Sequence, residues 1–66
     1  MKFGEEVRLK RRIREMTQQE LARRARTTQG TVSSLERGAV VSQALAQRIA
    51  RVLNISIKTN DARRGD

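Results

Sequence analysis

The stretch Met16-Thr-Gln-Gln-Glu-Leu-Ala-Arg-Arg-Ala-Arg-Thr-Thr-Gln-Gly-Thr-Val-Ser-Ser-Leu-Glu-Arg-Gly38 contains two helix starts, two small apolar faces and one helix stop. Thr17, with Glu20 three residues on, has the capping-box pattern: the hydroxyl accepts from a free amide and the carboxylate reaches back. The helix that follows runs to Ala25 and places Leu21, Ala22 and Ala25 on one face. Arg26-Thr27-Thr28 breaks that spacing. Thr28 is a second N-cap, for a helix through Glu36 or Arg37 with Val32 and Leu35 inward, and Gly38 supplies the left-handed stop. Two short helices joined by a tight turn result. Ala22 has to be small where they cross, and Leu21, Ala25, Val32 and Leu35 fill the wedge between them.

Outward from this pair the chain remains helical. Gly4 to Arg14 alternates charge with Val7, Leu9 and Ile13, and Glu5 and Glu6 stand in the first turn, where they complement the helix dipole. Ser42 caps a fourth helix, Gln43 to Leu53, whose Leu45, Ile49, Val52 and Leu53 form an apolar stripe ending at Asn54, a residue that tolerates a left-handed stop. Ile55-Ser56-Ile57-Lys58-Thr59 alternates apolar with polar and is rich in β-branched residues, the pattern of a strand. The last residues, Asp61 to Asp66, are polar and read as a frayed end. The expected architecture is all-α: a compact four- to five-helix domain covering 1–66, ordered over about 3–59, with the tight pair at helices two and three.

Charge narrows the partner. Fifteen Lys and Arg stand against seven Asp and Glu, for a net charge of +8 on 66 residues. Twelve of the fifteen are Arg, whose planar fork suits bidentate contacts to phosphates and base edges. A polyanion is the partner such an excess points to. The absence of His and Cys removes the commonest metal ligands and the commonest general base. With only scattered acids besides, no catalytic residue, metal site or cofactor is expected, and the chain does not read as an enzyme. No apolar run reaches membrane-spanning length and the start lacks a signal-peptide core, so a cytoplasmic, nucleoid-associated protein with no membrane partner is expected.

The quoted stretch, with Phe3-Gly4, Val7-Arg8 and Arg11 before it and the amphipathic fourth helix after it, resembles the Xre/Cro-type helix-turn-helix repressors, the lambda-repressor-like proteins, from Phe3 to about Ile55. The resemblance implies that the third helix enters the major groove of double-stranded DNA, which is wide enough for one helix. It puts Thr28, Gln29, Gly30 and Ser34 against bases. Gln29 lies in the deepest-reaching turn, and its amide can bond adenine N6 and N7 together. Gln18, at the start of the second helix, matches a phosphate-holding position of the family. Arg11, Thr31, Ser33 and Arg37 complete the expected grip on the DNA backbone. Arg11 also matches a position that pairs with the counterpart of Glu36, tying the first helix to the third.

Three features depart from the family pattern. Arg26 occupies the turn position usually held by Gly, so it has to accept a positive φ or force another turn, at about 1–2 kcal/mol for a left-handed non-glycine. The loop Gly38-Ala39-Val40-Val41 is apolar where many relatives carry Lys or Arg for phosphates, so either the backbone grip comes from elsewhere or Val40 and Val41 join the core or a dimer interface. The usual fifth helix gives way to the alternating 55–59 segment. A lone strand needs a partner, and an intersubunit ribbon with Ile55 and Ile57 at the dimer interface is weighed against a short degenerate fifth helix.

The leading functional reading is a transcriptional repressor that binds a near-palindromic operator as a homodimer. The alternative is an antitoxin-type protein, whose main task is to hold a protein partner and whose DNA binding serves autoregulation; little chain remains beyond the helices for such an arm.

Overall fold

Three of the four helices start on a hydroxyl. In a computed structural model, which describes residues 2–56, the helices are α1 (Phe3–Ile13), α2 (Gln18–Arg24), α3 (Gln29–Glu36) and α4 (Gln43–Leu53). Thr17, Thr28 and Ser42 precede α2, α3 and α4, and their side-chain oxygens accept from the amides of Glu20, Thr31 and Leu45 at 3.0, 3.2 and 3.1 Å. Each such cap is worth about 1 kcal/mol to its helix. The return half of the expected capping box is not made: the Glu20 carboxylate turns forward and accepts from Arg24 Nη2 at 3.0 Å, one helical turn on. α1 begins differently, on Lys2, whose ammonium can only donate; its backbone N–H is taken by Glu5 Oε1 at 3.1 Å.

All four helices end in the same way. A residue in the left-handed region closes each one: Glu15 (φ 55°), Arg26 (φ 59°), Gly38 (φ 111°) and Asn54 (φ 58°). The next residue's N–H then donates to the carbonyl five positions back: Met16 to Arg11 and Thr27 to Ala22, then Ala39 to Ser34 and Ile55 to Ala50, at 2.8–3.0 Å. This is the bond that satisfies orphan carbonyls at a helix end. Arg26 therefore accepts the positive φ that its place in the turn demands. Glu15 does the same at a position the sequence does not mark, since neither its neighbours nor its own side chain favours that conformation.

The four helices close around one aliphatic core. Val7 of α1, Leu21 of α2 with the adjoining Ala25, Val32 of α3, and Ile49 and Leu53 of α4 are fully buried, with Ala22, Leu35, Leu45, Ala50 and Ile55 nearly so. Each fully buried Leu, Ile or Val contributes about 1.5–3 kcal/mol from the apolar surface it removes from water. Phe3, Met16, Val41 and Val52 pack on the edge of this cluster. The apolar loop after α3 thus divides: Val41 joins the core, and Val40 is 94% exposed. No strand occurs among the described residues and four helices account for them. Ile55 lies in the core, whereas Ile57 and the rest of the 55–59 alternation from residue 57 on lie outside the described residues.

α1 lies against the C-terminal end of α3 with no space for a side chain at the crossing. A β-carbon on Gly4 would collide with the Leu35 carbonyl oxygen and stand 3.0 Å from its carbon. On the other side, α4 closes the end of α2: Arg48 Nε donates to the Ala25 carbonyl at 2.9 Å. α2 and α3 are thereby fixed in angle from both sides.

Candidate nucleic-acid interface

α3 has one face in the core and one face in water. Val32 and Leu35 are buried, while Thr28, Gln29 and Gly30 are exposed and Thr31, Ser33 and Ser34 are partly so. Thr28 at its N-terminus accepts the Thr31 amide and shares a 3.0 Å hydrogen bond with the Thr31 hydroxyl, so both side chains are held against the first turn. Among the described residues no side chain or backbone group bonds the Gln29 amide, which leaves its donor pair and its acceptor for an external partner. Gly30 faces open space: the nearest atom to an added β-carbon would be Thr28 Oγ1, 3.9 Å away. The α3 surface therefore presents amide and hydroxyl groups with no acid, and a bare backbone at its second position.

The C-terminal end of α3 is anchored by a polar cluster. Arg11 Nε and Nη2 donate to Glu36 Oε2 and Oε1 at 2.7 and 3.1 Å, a two-point pair across 25 residues of sequence. Arg11 Nη1 also donates to the Met16 carbonyl at 2.8 Å, and Gln18 Nε2 donates to Glu36 Oε1 at 3.0 Å. Glu36 thus joins α1, α2 and α3 at one point, with its side chain only 5% exposed. Burial pushes its carboxyl up. The hydrogen bonds from Arg11 and Gln18, with the charges of Arg11 and Arg8, outweigh burial and hold it below the ordinary glutamate value.

The expected backbone-gripping residues fall into two groups. Arg37 is exposed, just past α3, and donates to Ser33 Oγ at 2.6 Å, whereas Thr31 is partly buried and pairs with Thr28 at the other end of the helix. Arg11 and Gln18 stand at the rim of the same polar cleft, which Arg8, Arg12, Ser33, Glu36 and Arg37 also line, but each directs donors inward to Glu36. Arg11 has committed three of its five N–H groups to protein acceptors. Of the residues expected to shape the helix pair, Leu21, Ala22, Ala25, Val32 and Leu35 are all buried, Thr17 caps α2, and Arg26 turns the chain.

Three contributors are not visible in the sequence by local pattern. Gly4 permits the α1–α3 crossing, Arg48 closes α2, and Gln18 is a third ligand of the Glu36 carboxylate. Each is a contact between distant segments. Among the described residues no group of three or more His, Cys, Asp or Glu is placed to hold a metal ion, and no helix is long and apolar enough to cross a membrane.

A family model described as helix-turn-helix matches residues 7–59, which takes in α2, the turn at Arg26 and α3 as well as most of α1 and all of α4. No curated protein and no solved structure matches the chain significantly. The buried wedge, the left-handed turn and the open face of α3 agree with that match in position and in kind. The chain belongs to the helix-turn-helix family of DNA-binding transcriptional regulators.

Proposed function

We propose that the protein is a repressor that binds a near-palindromic operator as a homodimer, with α3 of each subunit in the major groove. The observation that carries this reading is the division of α3 into a core face and an exposed face. Thr28, Gln29 and Gly30 are exposed, with Ser34 half-buried beside them, on a helix whose angle the Val32–Leu35 wedge fixes. Gln29 bonds an adenine through N6 and N7, Thr28 and Ser34 make shorter contacts, and Gly30 lets the backbone approach the bases. Arg37, Thr31 and Ser33 take phosphates beside the reading face, and Arg11 and Gln18 add the donors that Glu36 leaves free. With two copies on two half-sites about 34 Å apart, one turn of DNA, occupancy occludes the promoter. The net charge of +8 makes binding steeply salt-dependent and fast.

Selection from random duplexes tests this directly. A two-fold symmetric motif, with half-sites one helical turn apart, is the expected outcome. Binding that enriches no sequence would reduce the protein to a nonspecific coat on DNA.

A further inference from the structure

Two of the four left-handed stops fall on residues with long side chains, Glu15 (φ 55°) and Arg26 (φ 59°). A β-carbon is strained at such angles, a strain that Gly38 escapes and Asn54 tolerates. At both strained turns an arginine side chain donates to a carbonyl next to the stop: Arg11 Nη1 to Met16 at 2.8 Å, and Arg48 Nε to Ala25 at 2.9 Å. Among the described residues no side chain does this at the Gly38 or Asn54 turn. Only the Arg26 turn leads into α3, and its clamp is long-range, since Arg48 belongs to α4, 23 residues on.

The Ala25 carbonyl is part of the planar peptide that joins Ala25 to Arg26, so its direction and the φ of Arg26 change together. With Ala25 at ψ 1° and Arg26 at φ 59°, the oxygen accepts from Arg48 while the Arg26 N–H donates to the Arg23 carbonyl, 3.2 Å away. Turning that peptide over brings φ into the range a β-carbon prefers, but it points the oxygen away from Arg48 and the N–H away from Arg23. Ala25 is fully buried and Arg48 half-buried, so the bond is made away from bulk water, where it is stronger than at the surface. Thr28 and Gln29 follow within three residues and take their direction from this turn.

We infer that Arg48 is a positioning residue for base reading: its bond to the Ala25 carbonyl holds Arg26 in the left-handed conformation and so aims α3, with Gln29, out of the turn. The inference rests on the reading that α3 contacts bases. It is tested with the full chain as wild type, Arg48→Met, Arg26→Gly and the two changes together, each titrated on the selected duplex and on a scrambled one. The ratio of the two affinities removes the uniform loss that a missing cation brings. Melting shows which variants fold, and the three-bond coupling between the amide and α protons of Arg26 reports its φ. Arg48→Met alone should lose about tenfold of the ratio, within the worth of one bidentate base contact, and its Arg26 coupling should leave the left-handed value. Adding Arg26→Gly should restore most of the ratio, because glycine keeps the turn without a clamp. Should Arg48→Met alone fail to fold, a folded double variant with the wild-type ratio supports the same role. A folded Arg48→Met that keeps both the ratio and the left-handed φ overturns it. So does a double variant that folds and discriminates no better than Arg48→Met, since the loss then does not pass through the turn. A wild type that prefers neither duplex overturns base reading and the aiming role with it, while the Arg26 coupling still shows whether Arg48 holds the turn.

Discussion

Gly4 and Leu35 meet where α1 crosses the end of α3, so closely that the glycine hydrogen occupies the only space available beside the Leu35 carbonyl. The neighbouring Arg11–Glu36 pair joins the same two helices through charge. Both contacts set the height at which α3 stands above the body of the domain, and therefore how far Gln29 projects.

Gly4→Ala forces backbone apart, because the atoms that a methyl group meets belong to the Leu35 peptide rather than to a yielding side chain. Overpacking of this kind costs about 1–3 kcal/mol. Urea denaturation of the two chains should show that loss. Equal midpoints would mean that α1 and α3 do not cross as closely as described.

Arg26→Gly should stabilise the fold by about 1–2 kcal/mol, since the left-handed turn at φ 59° strains any residue with a β-carbon. The exposed Arg26 side chain packs on nothing in the core, so little is lost in exchange. Thermal melting reads the difference. A lower melting temperature for the glycine variant would contradict the strained turn.

Much of the fold is legible in the sequence because helix ends are local chemistry. Thr17, Thr28 and Ser42 cap within three residues, and Gly38 and Asn54 stop their helices with conformations that those residues accept readily. The core face of α3 follows from the spacing of Val32 and Leu35. What local reading misses is settled by distant partners. Glu20 completes a capping box on paper, yet pairs with Arg24 once the helix has formed. Gly4 reads as the first residue of a helix, and nothing nearby reveals the Leu35 carbonyl that requires it to be glycine. Gln18 reads as a free phosphate ligand, and only the fold brings it onto Glu36 beside the expected Arg11 pair. At Val40 and Val41 the sequence supplies two adjacent valines, and only packing assigns one to the core and one to solvent.

The lowered pKa of Glu36 ties stability to pH in a definite direction. Its charged form is favoured in the folded state, so the stabilisation is complete above the ordinary glutamate value, about 4.3. It is lost progressively as pH falls through that value toward the lowered one. Glu36→Gln should cost about 1.5–3 kcal/mol at neutral pH, the range for hydrogen bonds to a charged group, and should flatten the acid limb of the stability profile. Denaturant midpoints at pH 7, 5, 4 and 3 measure both effects. An unchanged acid limb in the variant would remove Glu36 as the titrating group.

Gly30→Ala separates folding from binding. An added methyl meets only Thr28 Oγ1, at 3.9 Å, so the helix gains up to about 1 kcal/mol from the better helix former. On the reading that the α3 backbone approaches the bases, the same methyl weakens operator binding. A variant that melts higher and binds equally well would make this glycine irrelevant to recognition.

Base-pair reading by the exposed face of α3 stands or falls with Gln29→Ala. Gln29 is exposed and makes no contact that the fold needs, so the variant should melt like the wild type. Affinity should be measured by fluorescence anisotropy at one fixed salt concentration, on the selected site and on duplexes substituted one base pair at a time. A loss of about 1–3 kcal/mol on the preferred site and indifference to the base at one position in each half-site are expected. An equal loss on every duplex, or no loss on any, would contradict base-pair reading by α3.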